Sequence, residues 1–181
     1  AALSGVMVRL LSGERGIFTA ATLREAIRHE NVHYPRPRLV GLENTHNRGG
    51  GSIWPLEAVM EVRAVASDAG LRIHLDGARL WNASVATGIP ERDYAACFDS
   101  VSVCYSKGLG APVGSALAGS AEFIQRARRF RKMFGGGMRQ SGILAAAALY
   151  ALDHHRDRLA EDHANAAKLA RGLSGLPGVE L

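Results

Sequence analysis

Three short apolar runs, at 38 to 43, 71 to 75 and 99 to 104, alternate with helical stretches, and that alternation restricts the fold more than any other feature. Strands separated by helices build an α/β sheet, mostly parallel, with helices packed on its faces. The segments between the runs agree with this. Pro55 opens a helix where its missing N–H costs nothing, and Leu56, Val59, Met60, Val62, Ala66 and Ala69 mark the side expected to be buried before Gly70 stops it. Upstream, residues 22 to 29 read as a short helix with Thr19 or Thr22 as its cap, and Pro35 and Pro37 impose an extended connection. Downstream, residues 115 to 118 are strand-like, the alanine- and leucine-rich stretch 142 to 152 predicts a buried helix, and 155 to 173 predicts a more polar one.

Ligands of such sheets sit beyond the carboxyl ends of the strands, and Asn44, Asp76 and Lys107 all fall there. Lys107 follows the run beginning at Val101 and precedes glycines at 108, 110 and 114. A lysine that attacks a carbonyl must lose its proton near neutral pH, and a site at the end of a buried strand favours this by desolvation. The glycines would let a bulky cofactor approach the backbone. Asp76, with Arg79 three residues on, completes what a pyridoxal phosphate (PLP) enzyme requires: a lysine for the cofactor carbonyl, an acid for its ring nitrogen and a cation for a carboxylate. Each piece alone has an ordinary reading. Lysines at strand ends are commonly solvated, and Asp-Gly is a common turn signal.

At 181 residues the chain can bury one sizeable core, and 47% apolar with 22% charged residues is an ordinary globular composition. Cys97 and Cys104 both lie in apolar surroundings, which suits packing in a reducing cytoplasm better than a disulfide framework. No apolar run approaches the roughly 18 residues of a membrane helix, so no membrane partner is expected. The net charge of +5 raises the question of nucleic acid. Its densest cations, Arg126, Arg128, Arg129, Arg131 and Lys132, are interleaved at helical spacing with Phe123, Ala127, Phe130 and Phe134. That pattern is an amphipathic helix with a solvated basic face, and no nucleic-acid partner is expected. No His or Cys spacing suggests a metal site.

Four motifs occur in order: Glu43 to Asn47 (Glu-Asn-Thr-His-Asn), His74 to Arg79 (His-Leu-Asp-Gly-Ala-Arg), Ser106 to Ser115, and Gly135 to Gly142 (Gly-Gly-Gly-Met-Arg-Gln-Ser-Gly). Together they resemble the L-threonine aldolase branch of the β-eliminating lyases, PLP enzymes of fold type I. The resemblance implies that Lys107 carries the cofactor, that Asp76 keeps its ring nitrogen protonated, and that Arg79 binds the substrate carboxylate. It also implies cofactor contacts from Ser106, Asn44 and Arg139, the last near the phosphate and reaching it in a neighbouring subunit of a homo-oligomer, a dimer or tetramer. The expected reaction is retro-aldol cleavage of the Cα–Cβ bond of L-threonine or L-allo-threonine to glycine and acetaldehyde. The alternatives are another fold type I lyase acting on β-substituted amino acids, or a non-catalytic fragment of such an enzyme. His33 and His46 are the candidate bases, with the cofactor-stacking histidine of the family's N-terminal segment or held water as other sources, and His74 is expected on the opposite side of its strand from Asp76. By the same resemblance, residues 1 to 171 form the PLP-binding large domain without its N-terminal part, which would bring a histidine that stacks on the cofactor and a Gly-Thr phosphate loop. Residues 172 to 181 would be a linker or the start of a small C-terminal domain, and the chain alone is expected to be inactive.

Overall fold

The computed structural model describes residues 3–179. Helix α1 (Ala20–Ala26) leads to strand β1 (Leu39–Glu43), then α2 (Leu56–Asp68), β2 (Arg72–Gly77), α3 (Leu80–Thr87), α4 (Glu91–Ala95) and β3 (Ser100–Cys104). Strand β4 (Ser115–Gly119) follows, then α5 (Ala121–Met133), α6 (Gly142–His155) and α7 (Leu159–Leu173). The sheet order is β1-β2-β3-β4, with β1, β2 and β3 parallel and β4 antiparallel to β3. The mostly parallel sheet expected from the alternation is therefore present. All three parallel strands fall where the apolar runs lie.

Alternation along the strands separates two faces. Val40 and Leu42 of β1, Ile73 and Leu75 of β2 and Val101 of β3 pack with Val59, Val62, Val65 and Ala66 of α2, Leu23 of α1, Leu80 and Ala83 of α3, and Tyr94 of α4. Each buried valine, leucine or isoleucine of this set contributes roughly 1.5–3 kcal/mol. The other face is polar. It carries Gly41 and Glu43, Arg72, His74 and Asp76, and Ser100 and Ser102, aligned by the register Gly41↔His74↔Ser100 and Glu43↔Asp76↔Ser102. His74 therefore shares a face with Asp76, contrary to the expectation from sequence: side chains two residues apart on a strand point the same way. Its Nδ1 lies 2.8 Å from Ser100 Oγ across the ladder.

Local signals set the helix ends. Thr19 caps α1, its hydroxyl accepting the Thr22 N–H at 3.1 Å. Gly70, at φ +65°, ends the turn after α2 in a conformation that L side chains rarely adopt. The buried side of α2 is rotated from the expected one: Val65 is buried, whereas Met60 and Ala69 are exposed.

Residues 105–111 and the C-terminal helices make a second, smaller core of Leu109, Ala111, Ala151 and Leu159, joined by Trp81, Val85, Tyr105, Ala148 and Leu152. Helix α6 was expected to be buried, but in this chain only Ala151 is, and Ile143, Leu149 and Tyr150 are exposed. Its apolar content exceeds what the second core covers. Helix α5 is capped by Ser120 and buries no residue; its stripe of Phe123, Phe130 and Phe134 stays exposed, the last two rings stacked at 6.4 Å. Helix α7 ends at Leu173, where the polar helix was expected to end, and turns follow it. No helix among the described residues is long and apolar enough to cross a membrane.

Candidate active site

The carboxyl ends of β1, β2 and β3 lie side by side, and the fold brings three of the four sequence motifs to this edge. The β1 end is tied to the β2 end beyond the strands themselves, because the Asn44 N–H donates to the Asp76 carbonyl at 2.9 Å. Asp76 is exposed, and its Oδ1 accepts the Ala78 N–H at 3.1 Å, which shapes the turn into α3. Among the described residues no other hydrogen bond reaches this carboxylate, so its second oxygen is open to a donor. Arg79 stands at the N-cap of α3, with its guanidinium 4.0 Å from Glu43 Oε1.

Lys107 lies three residues beyond β3 in a turn held at several points. Its carbonyl accepts the Gly110 N–H at 2.8 Å, Ala111 N–H donates to the Tyr105 carbonyl at 3.0 Å, and His155 Nδ1 meets the Leu109 carbonyl at 2.7 Å. A Cβ at Gly108 would come 2.7 Å from Leu159 Cδ2 and 3.4 Å from Asn82 Oδ1, so the turn sits tightly on α3 and α7. Trp81, two residues after Arg79, donates its indole N–H to the Cys104 carbonyl at 3.2 Å and stacks on Tyr105 at 6.4 Å. The Asp76–Arg79 turn and the Lys107 turn are thereby linked through one side chain. Lys107 itself is exposed, so the burial expected to desolvate its amine is not supplied within these residues. Ser106 is also exposed, with its Oγ 3.3 Å from Cys104 Sγ.

His46 is held on three sides. Its Nδ1 accepts the Gly49 N–H at 3.0 Å, its Nε2 lies 3.8 Å from Glu43 Oε2, and a Cβ at Gly16 would overlap its ring. With Nδ1 committed as an acceptor, a neutral imidazole carries its proton on Nε2. Held in this way, His46 is a donor toward the site and has no open lone pair to act as a base. His33 is elsewhere. It is exposed in the loop before the amino end of β1, its backbone N–H bonded to Asn31, and among the described residues no hydrogen bond or ion pair joins it to the strand ends.

Asn44 is 1% exposed, and its Oδ1 accepts the Trp54 N–H at 3.3 Å, so the side chain faces the core side of β1 while Glu43 faces the polar side. Among the described residues its Nδ2 has no hydrogen-bond partner. Arg139 is exposed in the turn before α6, among glycines whose first members fold back on α5 through the bond from Gly136 N–H to the Arg131 carbonyl. Among the described residues no hydrogen bond or ion pair connects Arg139 to the strand ends. Sequence reasoning passed over Glu43, Gly16 and Trp81. Glu43 was discoverable, since it ends a strand at the same level as Asp76; Gly16 and Trp81 act through contacts between distant segments.

Burial pushes the His74 imidazole below its ordinary range, against the opposing pull of the Asp76 charge and the Ser100 bond. A neutral ring two residues from the acid follows. Among the described residues no group of three or more His, Cys, Asp or Glu side chains could hold a metal ion.

The family model described as beta-eliminating lyase matches residues 1–181. The chain belongs to the beta-eliminating lyase family. Within that family it is similar to low-specificity L-threonine aldolase 1 of Arabidopsis thaliana, at 43% identity over 99% of this chain and 51% of that protein. The low specificity L-threonine aldolase of Escherichia coli K12 is 49% identical over 81% of this chain and 43% of that protein. The chain thus spans about half the length of the curated relatives it matches. Threonine aldolase from Leishmania major has the same fold at a TM-score of 0.79 and 24% identity, covering 90% of this chain and 48% of that one. A PLP-bound C–S lyase from Staphylococcus hominis shares the fold at a TM-score of 0.58 and 18% identity, over 91% of this chain and 42% of that one. The fold type I large domain expected from the motifs is the architecture found.

Proposed function

We propose that this chain belongs to a PLP-dependent aldehyde-lyase that cleaves L-threonine or L-allo-threonine to glycine and acetaldehyde. One observation carries the reading: an exposed lysine, a carboxylate with an unused oxygen and an arginine stand at the carboxyl ends of adjacent parallel strands, within a beta-eliminating lyase fold. That donor set fits PLP. Lys107 would hold its carbonyl carbon, Asp76 its protonated ring nitrogen, and Ser106, with Arg139 of a neighbouring copy, its phosphate. When bound, PLP supplies an electron sink for the pair released as a bond at Cα breaks.

The protein selects the bond. Arg79 binds the substrate carboxylate and, by fixing it, sets which substituent of Cα lies perpendicular to the electron sink. Cleavage takes the proton from the β-hydroxyl, breaks Cα–Cβ, releases acetaldehyde and returns a proton to Cα to leave glycine. His46, with its proton on Nε2, donates a hydrogen bond to the β-oxygen, and the proton acceptor is water held at the mouth. Asn44 supports the site from behind, joining the β1 end to Asp76 through its backbone and to Trp54 through its side chain. A homo-oligomeric assembly in the cytoplasm belongs to the same reading.

Borohydride reduction in the presence of PLP, followed by peptide mapping, tests it. Pyridoxyl mass on Lys107 alone in the full-length protein, lost in Lys107→Ala, is expected, together with acetaldehyde release from threonine. Clean labelling in the full-length protein but none in residues 1–181 would mean that the site needs the remaining chain. An unlabelled Lys107 in both refutes the proposal in favour of a non-catalytic scaffold.

A further inference from the structure

Glu43 ends β1 in register with Asp76, so two carboxylates stand side by side on the polar face at the strand ends. Like charges directly opposite each other destabilise a sheet unless something compensates. Here the compensation gathers around Glu43. Its Oε2 lies 3.8 Å from His46 Nε2, and its Oε1 lies 4.0 Å from Arg79 Nη1 while accepting the Asn47 N–H at 3.1 Å. The three side chains are 32% (Glu43), 25% (His46) and 31% (Arg79) exposed, so the cluster is reachable from solvent without being loose in it.

The distances matter. An N–H···O hydrogen bond spans about 2.7–3.2 Å, so at 3.8 and 4.0 Å neither His46 nor Arg79 is captured, yet both are attracted. The one short bond, from Asn47, anchors the carboxylate to the loop that carries His46. The Gly49 N–H on Nδ1 turns the protonated side of His46 toward the same carboxylate. A single anionic group thus faces a hydrogen-bond donor from the β1 loop and a cation from the start of α3, with a gap to each.

Building on the function proposed above, we propose that Glu43 is a positioning residue that holds His46 and Arg79 ready for an α-amino acid. Arg79 exchanges its loose contact with Glu43 for the carboxylate of the incoming substrate. His46 likewise gives up its loose Nε2–H contact with Glu43 for the β-oxygen of the substrate, while the Gly49 N–H keeps hold of Nδ1. Because the resting contacts are long, the exchange gives up little and gains a close ion pair.

The test uses the full-length enzyme with PLP bound. Glu43→Gln retains an oxygen for the Asn47 N–H and removes only the charge. The expected result is a KM for L-threonine raised about tenfold, an affinity for glycine measured calorimetrically that falls by a similar factor, and a smaller change in kcat. Glycine has a carboxylate and no β-hydroxyl, so it reports Arg79 alone. Glu43→Asp, one methylene shorter, withdraws the carboxylate from both partners and should raise KM as well, even if the glutamine variant does not fold. Unchanged KM and glycine affinity overturn the inference. So does a fall in kcat at constant KM, which would place Glu43 in the bond-breaking step. Wild-type protein that neither labels at Lys107 nor releases acetaldehyde overturns the parent reading, and the role of Glu43 goes with it.

Discussion

Replacing Asp99 with alanine should destabilise the protein by about 3 kcal/mol, through three donors that converge on one carboxylate just before β3. Asp99 Oδ2 accepts the Ile73 N–H at 2.8 Å and Arg63 Nη1 at 2.8 Å, and Oδ1 accepts Arg72 Nη1 at 2.9 Å. The backbone donor dominates: leaving a shielded N–H without an acceptor costs about 1–3 kcal/mol. The Arg63 bond, with that side chain 36% exposed, adds about 1 kcal/mol, and Arg72, 79% exposed, adds only a few tenths. Asn at the same position keeps one oxygen for Ile73 and should cost about 1 kcal/mol. The carboxyl also predicts a pH dependence. Burial pushes its pKa up, but the bonds from Ile73, Arg72 and Arg63 outweigh burial and hold it below the ordinary aspartate range. A depressed folded pKa means that the contribution is complete above the unfolded value near 4 and is lost as pH falls through the folded value. Urea denaturation followed by tryptophan fluorescence, at pH 7 and in steps below pH 4, measures both. An alanine variant within 0.5 kcal/mol of wild type at pH 7, or an asparagine variant as unstable as the alanine one, would refute the reasoning.

Two further outcomes follow from the same geometry. Trp81→Phe keeps a ring against Tyr105 but removes the donor to the Cys104 carbonyl; it should cost about 1 kcal/mol and lower the yield of pyridoxyl-Lys107, read by mass spectrometry after limited borohydride reduction. A yield equal to wild type would show that the Trp81 link does not set the lysine turn. For His74 the folded pKa is lowered, so its contribution to stability is complete above the ordinary value of about 6.5 and declines as pH falls below it. His74→Asn should flatten the stability profile below about pH 6.5, and an unaltered slope in thermal melts would count against a half-buried ring held neutral.

The frame of the site could be read from sequence because strand ends are local: apolar runs mark the strands, and the residues that follow them fall at one edge of a parallel sheet. Asp76 and Lys107 needed nothing more. Asn44 was placed at the right strand end, but its side chain lies on the core side, a question of parity that the motif does not state. His74 shares the polar face with Asp76, because residues two apart on a strand point the same way. His46 could be named from its motif, yet its tautomer rests on the Gly49 N–H and its packing on Gly16, thirty residues away. The buried side of α2 shifted because its apolar residues span more than one stripe, and tertiary contacts chose Val65 over Met60. Helices α5 and α6 read as partly or wholly buried because their apolar residues are real, but nothing in residues 3–179 covers most of them.

The two cores divide the site between them. Asp76 ends a strand anchored in the larger cluster, while the turn that presents Lys107 depends on four buried side chains and on helices from the far end of the chain. The smaller cluster has less apolar surface to lose, so it opens at a lower free energy than the sheet. The lysine and the acid therefore rest on different clusters, joined through Trp81. Slow hydrogen exchange at the amides of β2 would coexist with faster exchange at 109 to 111, and ligands that bridge the two clusters would be felt first as protection of the second.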